Sequence, residues 1–239
     1  MKLTSTIFLL FILLLNSTAQ EASTKIYLFP GQGADYRLYN NIEFPKGYDT
    51  IRIHLPVPNR NETIREYATR FIPLIDTNQS FILLGVSLGG MICTELSTML
   101  KPEHVIIISS AKSNRELPRK YTFQKKIPIN KIIPKSNLKT GAVLLQPIVE
   151  PDSRTNRKFF TSMLAGKDPR YLKRTINMII NWDRTEAPEG IYHIHGTADN
   201  TIPYENVDCN YTIEEGSHMM AYTRGDEITV ILREYLTGE

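Results

Sequence analysis

Short apolar runs alternate with longer amphipathic stretches along this 239-residue chain. Ile26-Tyr27-Leu28-Phe29 predicts a strand ending at Pro30-Gly31-Gln32-Gly33, and Thr50 to Leu55 predicts the next. Ile64, Tyr67, Ala68, Phe71, Ile72 and Ile75 recur at helical spacing, with Pro73 distorting the last turn. Phe81 to Val86 and His104 to Ser109 are apolar on both faces. That pattern belongs to parallel strands with helices on each side. Between them Ile92, Leu96, Met99 and Leu100 form the core face of a helix over residues 90–100.

The alternation then breaks. Residues 112–188 read as turns, prolines and helices, with a helix opened by the Asp168-Pro169 pair, a cap followed by proline at the first position. Leu172, Ile176, Ile179 and Ile180 line that helix, which ends near Trp182. Gly190 to His195 restores a strand and Tyr211-Thr212-Ile213 gives a short one. Ile228, Ile231, Leu232, Tyr235 and Leu236 mark a final amphipathic helix. The expected architecture is α/β: a mostly parallel central sheet, helices on both faces, and a helical lid inserted at 112–188 over the strand ends.

The first residues carry a different pattern. Lys2 precedes the apolar run Ile7 to Leu15, and Ser17 and Ala19 are small residues suited to cleavage after Ala19. The run falls short of the ~20 residues a membrane span needs. A signal peptide over 1–19 is therefore expected, with export to the periplasm or beyond and one domain over 20–239. A retained membrane tether is the alternative, distinguished by the mature N-terminus. Two cysteines, Cys93 and Cys209, are too few for a disulfide scaffold, and Cys93 reads as a buried free thiol.

Net charge is +3, unevenly spread. Residues 112–140 hold nine Lys or Arg against the single acid Glu116, a net +8 that leaves −5 elsewhere. A solvated surface explains such a block, and weak contact with an anionic surface is the sharper reading. Few aromatic residues interleave with it, so nucleic acid is not the expected partner.

The candidate chemistry begins at Gly85-Val86-Ser87-Leu88-Gly89, set between a buried strand and a helix. In that context Gly-x-Ser-x-Gly makes a nucleophile elbow: the turn is too tight for side chains two residues either side of the serine. A serine hydroxyl needs a base, and the base an orienting carboxylate. Asp199, in His195-Gly196-Thr197-Ala198-Asp199, and His218, in Glu215-Gly216-Ser217-His218, each follow a predicted strand. The strand before the inserted block ends in Ser109-Ser110-Ala111 and offers no acid. His193 and His195 share one strand face but lack an evident third metal ligand, and read as structural.

Elbow, His-Gly-x-x-Asp loop and Gly-x-His segment together resemble the α/β-hydrolases over essentially the whole mature length, in particular small exported serine esterases with a helical cap. The resemblance implies a Ser87-Asp199-His218 triad that cleaves a carboxylic ester, or a related acyl compound, through an acyl-enzyme. It implies an oxyanion hole from the Leu88 amide and, in the Pro30–Gly33 loop, the Gln32 amide. It implies no cofactor or metal and a small-molecule acyl substrate. The competing class is a non-catalytic protein of the same fold whose basic block holds an anionic partner.

Overall fold

The computed structural model describes residues 23–119, 121 and 153–239. The leader expected over 1–19 lies outside these, as does most of the basic block. Six strands form one sheet: β1 (Thr24–Phe29), β2 (Tyr48–Arg52), β3 (Phe81–Val86), β4 (His104–Ile108), β5 (Ile191–Gly196) and β6 (Tyr211–Ile213). Their order is β2-β1-β3-β4-β5-β6, and every pairing is parallel. Chain direction across the sheet reverses after β2, so β1 and β3 flank the point where open α/β sheets leave a crevice at their carboxyl ends.

The helices among the described residues are α1 (Ile64–Thr69), α2 (Leu88–Ser97), α3 (Ser153–Ala165), α4 (Pro169–Ile180), α5 (Met220–Thr223) and α6 (Gly225–Thr237). Alternate strand positions face opposite sides. Tyr27, Phe29, Leu83 and Ile107 pack with α1, α2 and α4 on one face. Ile26, Leu28, Ile82, Leu84, Ile106, Ile108 and Ile194 pack with Phe160 and Met163 of α3 and with α5 and α6 on the other. All six residues of β3 are buried, so the apolar run before the elbow is the centre of the molecule. Among the described residues no helix is long and apolar enough to cross a membrane.

Most predicted elements stand, with shifted ends. The second strand is Tyr48–Arg52 rather than 50–55, because its register is set by pairing Thr24 to Tyr48 through Leu28 to Arg52. The helix expected over 64–75 closes at Thr69 after a Thr63–Glu66 capping box, and Pro73 sits in a separate 3₁₀ turn, Ile72–Leu74. The helix after the elbow starts at Leu88 and stops at Ser97. Helix α4 starts as predicted, with Asp168 accepting the Arg170 N–H and Pro169 in the first turn. Cys93 is buried in α2, and neither cysteine is in a disulfide.

The described part of 112–188 lies between β4 and β5 and is helical. Its two roots are clasped: the Asn114 N–H donates to the Arg184 carbonyl at 2.8 Å, and the Asn114 amide side chain donates to the Trp182 carbonyl at 3.1 Å. Glu95 of α2, 2% exposed at its side chain, binds the outgoing root. It accepts from Trp182 Nε1 at 2.8 Å and from the Arg184 guanidinium at 2.8 and 2.7 Å, with Arg65 at 3.2 Å. Burial pushes this carboxyl up, but the hydrogen bonds and charge of Arg184, Trp182 and Arg65 outweigh it and hold it below the usual glutamate value of 4.5.

Glu95→Ala leaves the Trp182 N–H and the half-buried Arg184 without their acceptor, and is expected to destabilise the fold by on the order of 2 kcal/mol in urea unfolding at pH 7. Because the folded carboxyl is the more acidic, the wild-type advantage is complete above pH 4.5 and shrinks as pH falls through the lower folded value. A difference that stays constant from pH 7 to pH 3 would contradict this assignment.

Candidate active site

The elbow is built by close backbone approach. A Cβ on Gly85 would collide with the backbone of Gly89, and one on Gly89 with the Phe29 carbonyl of β1. Small residues at these two places let β3 turn into α2 against the end of β1. Ser87, at the apex, takes φ 54° and ψ −120°, a region costing a non-glycine residue about 1–3 kcal/mol. Three backbone contacts hold it there. Its N–H donates to the Ile108 carbonyl at 3.0 Å, and its carbonyl accepts the Met91 N–H at 3.1 Å and the Ser110 hydroxyl at 2.7 Å.

The three side chains singled out in the sequence meet at the carboxyl edge of the sheet. His218 Nε2 lies 2.9 Å from Ser87 Oγ, and His218 Nδ1 lies 2.8 Å from Asp199 Oδ2. With Asp199 accepting at Nδ1, the neutral imidazole carries its proton there and presents a bare Nε2 to the hydroxyl. Ser87 is half-buried, His218 is 9% exposed and Asp199 3%. The other carboxylate oxygen of Asp199 accepts the Thr201 and Ile202 N–H groups at 2.9 and 2.8 Å. Burial alone would raise the Asp199 carboxyl, but the charge and hydrogen bond of His218, with His195 and the Ile202 N–H, leave it lowered.

Local chain geometry delivers the two distant partners. After β6 the chain turns back over the end of β5: the Thr197 N–H donates to the Ile213 carbonyl at 3.1 Å and the Ala198 N–H to the Gly216 carbonyl at 3.0 Å. A Cβ on Gly196 would strike the Gly216 backbone, so the pair of glycines in the two predicted loops is what lets those loops stack.

Gln32 and Leu88 flank the serine. Leu88 is the first residue of α2, where an N–H has no partner within the helix. The Gly31 position stands 3.3 Å from Ser87 Cβ, measured from a Cβ placed on the glycine, which puts the 30–33 loop against the elbow. The Gln32 side chain reaches the other way and donates to Thr175 Oγ1 at 2.7 Å and to the Leu172 carbonyl at 3.2 Å on α4. Sequence reading did not find this link, nor the Ser110 bond, because both depend on which helices and strand ends become neighbours.

Several aromatic residues resolve as packing. Phe160 and Met163 are buried in the core, and Trp182 is buried on Glu95. Phe159 stacks on Tyr222 with ring centroids 4.1 Å apart, and Arg37 lies over Phe159 at 5.7 Å. Met219, beside His218, is partly buried against the same cluster. His193 and His195 do lie on one face, 3.0 Å apart between Nε2 and Nδ1. Among the described residues no group of three or more His, Cys, Asp or Glu is arranged to hold a metal ion.

If the elbow stores strain, glycine at its apex should release it. Ser87→Gly is expected to unfold at higher urea than Ser87→Ala, by about 1 kcal/mol after the extra chain entropy of glycine is set against the relieved φ. Equal stabilities would mean that the apex is not strained.

No family model matches the sequence, and no curated protein matches it. Solved structures do match. A hydrolase from Oleispira antarctica is 14% identical with a TM-score of 0.69, covering 91% of this chain and 92% of its own. An esterase from Exiguobacterium antarcticum is 14% identical with a TM-score of 0.69, covering 90% and 92%. The enol-lactonase from Burkholderia xenovorans LB400 is 17% identical with a TM-score of 0.65, again covering 90% and 92%. Near-complete coverage in both directions, together with the all-parallel sheet and the elbow after β3, gives this chain the α/β-hydrolase fold.

Proposed function

We propose that the protein is a serine hydrolase that cleaves a carboxylic ester, or a related acyl compound, of a small molecule. One observation carries the proposal: the unbroken hydrogen-bonded line from Ser87 Oγ through His218 to Asp199, at 2.9 and 2.8 Å. Residues 131 apart in the chain do not line up in this way for packing alone, and the strained apex serves no structural end that a glycine would not serve better. Fold neighbours named as esterase and enol-lactonase accord with this bond class.

In this reading Ser87 Oγ attacks the acyl carbon as its proton passes to His218 Nε2. Asp199 holds the imidazole in the tautomer that can accept the proton and stabilises the imidazolium formed. The oxygen that gains negative charge is met by the N–H groups of Leu88 and Gln32, the first also at the positive end of α2. His218 then donates its proton to the leaving alkoxide, and a water molecule deprotonated by the same imidazole resolves the acyl-enzyme. The Gln32 side-chain bonds to α4 tie the oxyanion loop to the inserted helices. Serine rather than aspartate at the elbow favours acyl transfer over displacement at an alkyl carbon.

Ser87→Ala is expected to abolish turnover of chromogenic esters and labelling by a fluorophosphonate probe while leaving the unfolding midpoint within the range of surface variants. Asp199→Asn should reduce kcat by about 10⁴, the size of the loss in an unrelated triad. Folded wild-type protein that neither turns over an ester series of graded chain length nor takes up the probe would overturn the proposal.

A further inference from the structure

Two imidazoles lie close to Asp199, one of them hydrogen-bonded to it. Besides His218, His195 Nε2 approaches Asp199 Oδ2 at 3.4 Å, with neither side chain exposed. The same His195 Nε2 lies 2.9 Å from the Ile202 carbonyl. A carbonyl oxygen only accepts, so this nitrogen carries the proton. In the neutral ring Nδ1 is then bare, and it faces His193 Nε2 at 3.0 Å. His193 must therefore donate from Nε2, which leaves His193 Nδ1 as the lone pair at the end of the line. That atom is buried, and no group meets hydrogen-bond geometry with it.

We infer that His195, fixed by His193, is a positioning residue for Asp199, and that its Nε2–H draws on the carboxylate charge that would otherwise bear on His218 alone. The inference rests on the hydrolase reading for its effect on turnover, but its structural core does not. Both histidines are buried at 0% exposure. Burial lowers each of them, His193 strongly, which favours the neutral form of both rings.

The charged and titratable groups around this row come from several elements. Asp199 and His218 face His195 from the loops after β5 and β6. Lys112, rooted after β4, bears on His193 and opposes its protonation. Asp208, whose carboxylate stands 3.9 Å from Lys112 Nζ, and Glu116, which accepts the Lys112 N–H, partly offset that lysine. Tyr121 faces Asp199 from the start of the inserted block. Of these, only His218 donates to Asp199 Oδ2, from Nδ1 at 2.8 Å.

The sign of the effect follows. Removing the Nε2–H leaves more of the carboxylate charge on His218, which favours the imidazolium. His218 then loses its proton at a higher pH, and the acid limb of kcat/KM moves up with it. His195→Leu removes the donor, whereas His195→Gln keeps an N–H close to the Nε2 position.

The test uses full-length protein with ¹⁵N-labelled histidine, read by NMR, and the pH profile of kcat/KM on the best ester. In wild type we expect His195 in the Nε2–H tautomer with no titration from pH 5 to 9. In His195→Leu the His218 titration and the acid limb of kcat/KM should both shift to higher pH, with His195→Gln restoring most of the shift. Finding the Nδ1–H tautomer, a His195 that titrates in this range, or a His218 titration unmoved in His195→Leu would overturn the inference. Should His195→Leu fail to fold, the wild-type tautomer measurement decides alone. A protein without esterase activity would fail the hydrolase reading and still give both NMR results.

Discussion

The turn at Ser87 is the constraint on which the remaining structure depends. It asks a serine to hold φ 54° between a fully buried strand and a helix whose first residue is completely buried. The surroundings over-determine that conformation. Gly89 lets the first turn of α2 settle onto the Phe29 carbonyl. Tyr39, 5% exposed, donates its hydroxyl to the same carbonyl at 2.7 Å. Ser110 and Ile108 hold the apex itself. The Gly89, Ile108 and Ser110 contacts tie the elbow to the ends of β1 and β4, so the strain of the turn is offset by the packing of β1, β3 and β4 together.

That arrangement explains why the middle strand end is made of small residues. Strands in a sheet lie about 4.8 Å apart, so Ser87 after β3 and Asp199 after β5 are separated by the end of β4. A large side chain at Ser110 would strike the first turn of α2, which lies against it. The chain supplies Ser109-Ser110-Ala111, and Gly90 of α2 leaves room for the Ser110 side chain, which a Cβ there would strike. His218 arises one strand further out, after β6, and reaches inward only because the 214–218 loop folds over the β5 end through Gly196 and Gly216. Sheet order and these two small-residue contacts therefore set the distances at the site.

Much of this was legible in the sequence because the signals were local. Buried strands declared themselves by runs such as Phe81 to Val86, the elbow by its glycines, α4 by Asp168-Pro169. The fold class, the positions of Ser87, Asp199 and His218 after their strands, and the shared face of His193 and His195 were all readable from period and spacing. What stayed hidden was non-local. The β2 boundaries depend on register with β1, which propensity does not encode. The helix over 64–75 stopped early because Pro73 outweighed an apolar spacing that continues to Ile75. Trp182 marked only a helix end in the sequence, and its acceptor Glu95 lies 87 residues earlier. Gln32 offered an amide in the sequence, and only the assembled fold shows its side chain held by Thr175.

The polar residues inside this molecule sort by how completely they are satisfied. Glu95 has three hydrogen-bonding side chains around it, Asp199 two imidazoles and two backbone amides, and in both cases the sum overcomes the cost of burial and keeps a carboxylate ionised. Removing a single donor from such a group costs more than the average hydrogen bond, because the charge remains buried with less to stabilise it. The two networks also act at different scales. Around Glu95 they fix whole elements, binding α2 to the root of the inserted helices, and a loss there is felt as stability. Around Asp199 they fix the proton positions of a few rings whose places are already set by β5 and β6, so a loss there is felt as a change in basicity at one nitrogen. A fold that separates these two duties can hold the inserted segment firmly on the body of the protein without altering the electrostatics that act on His218.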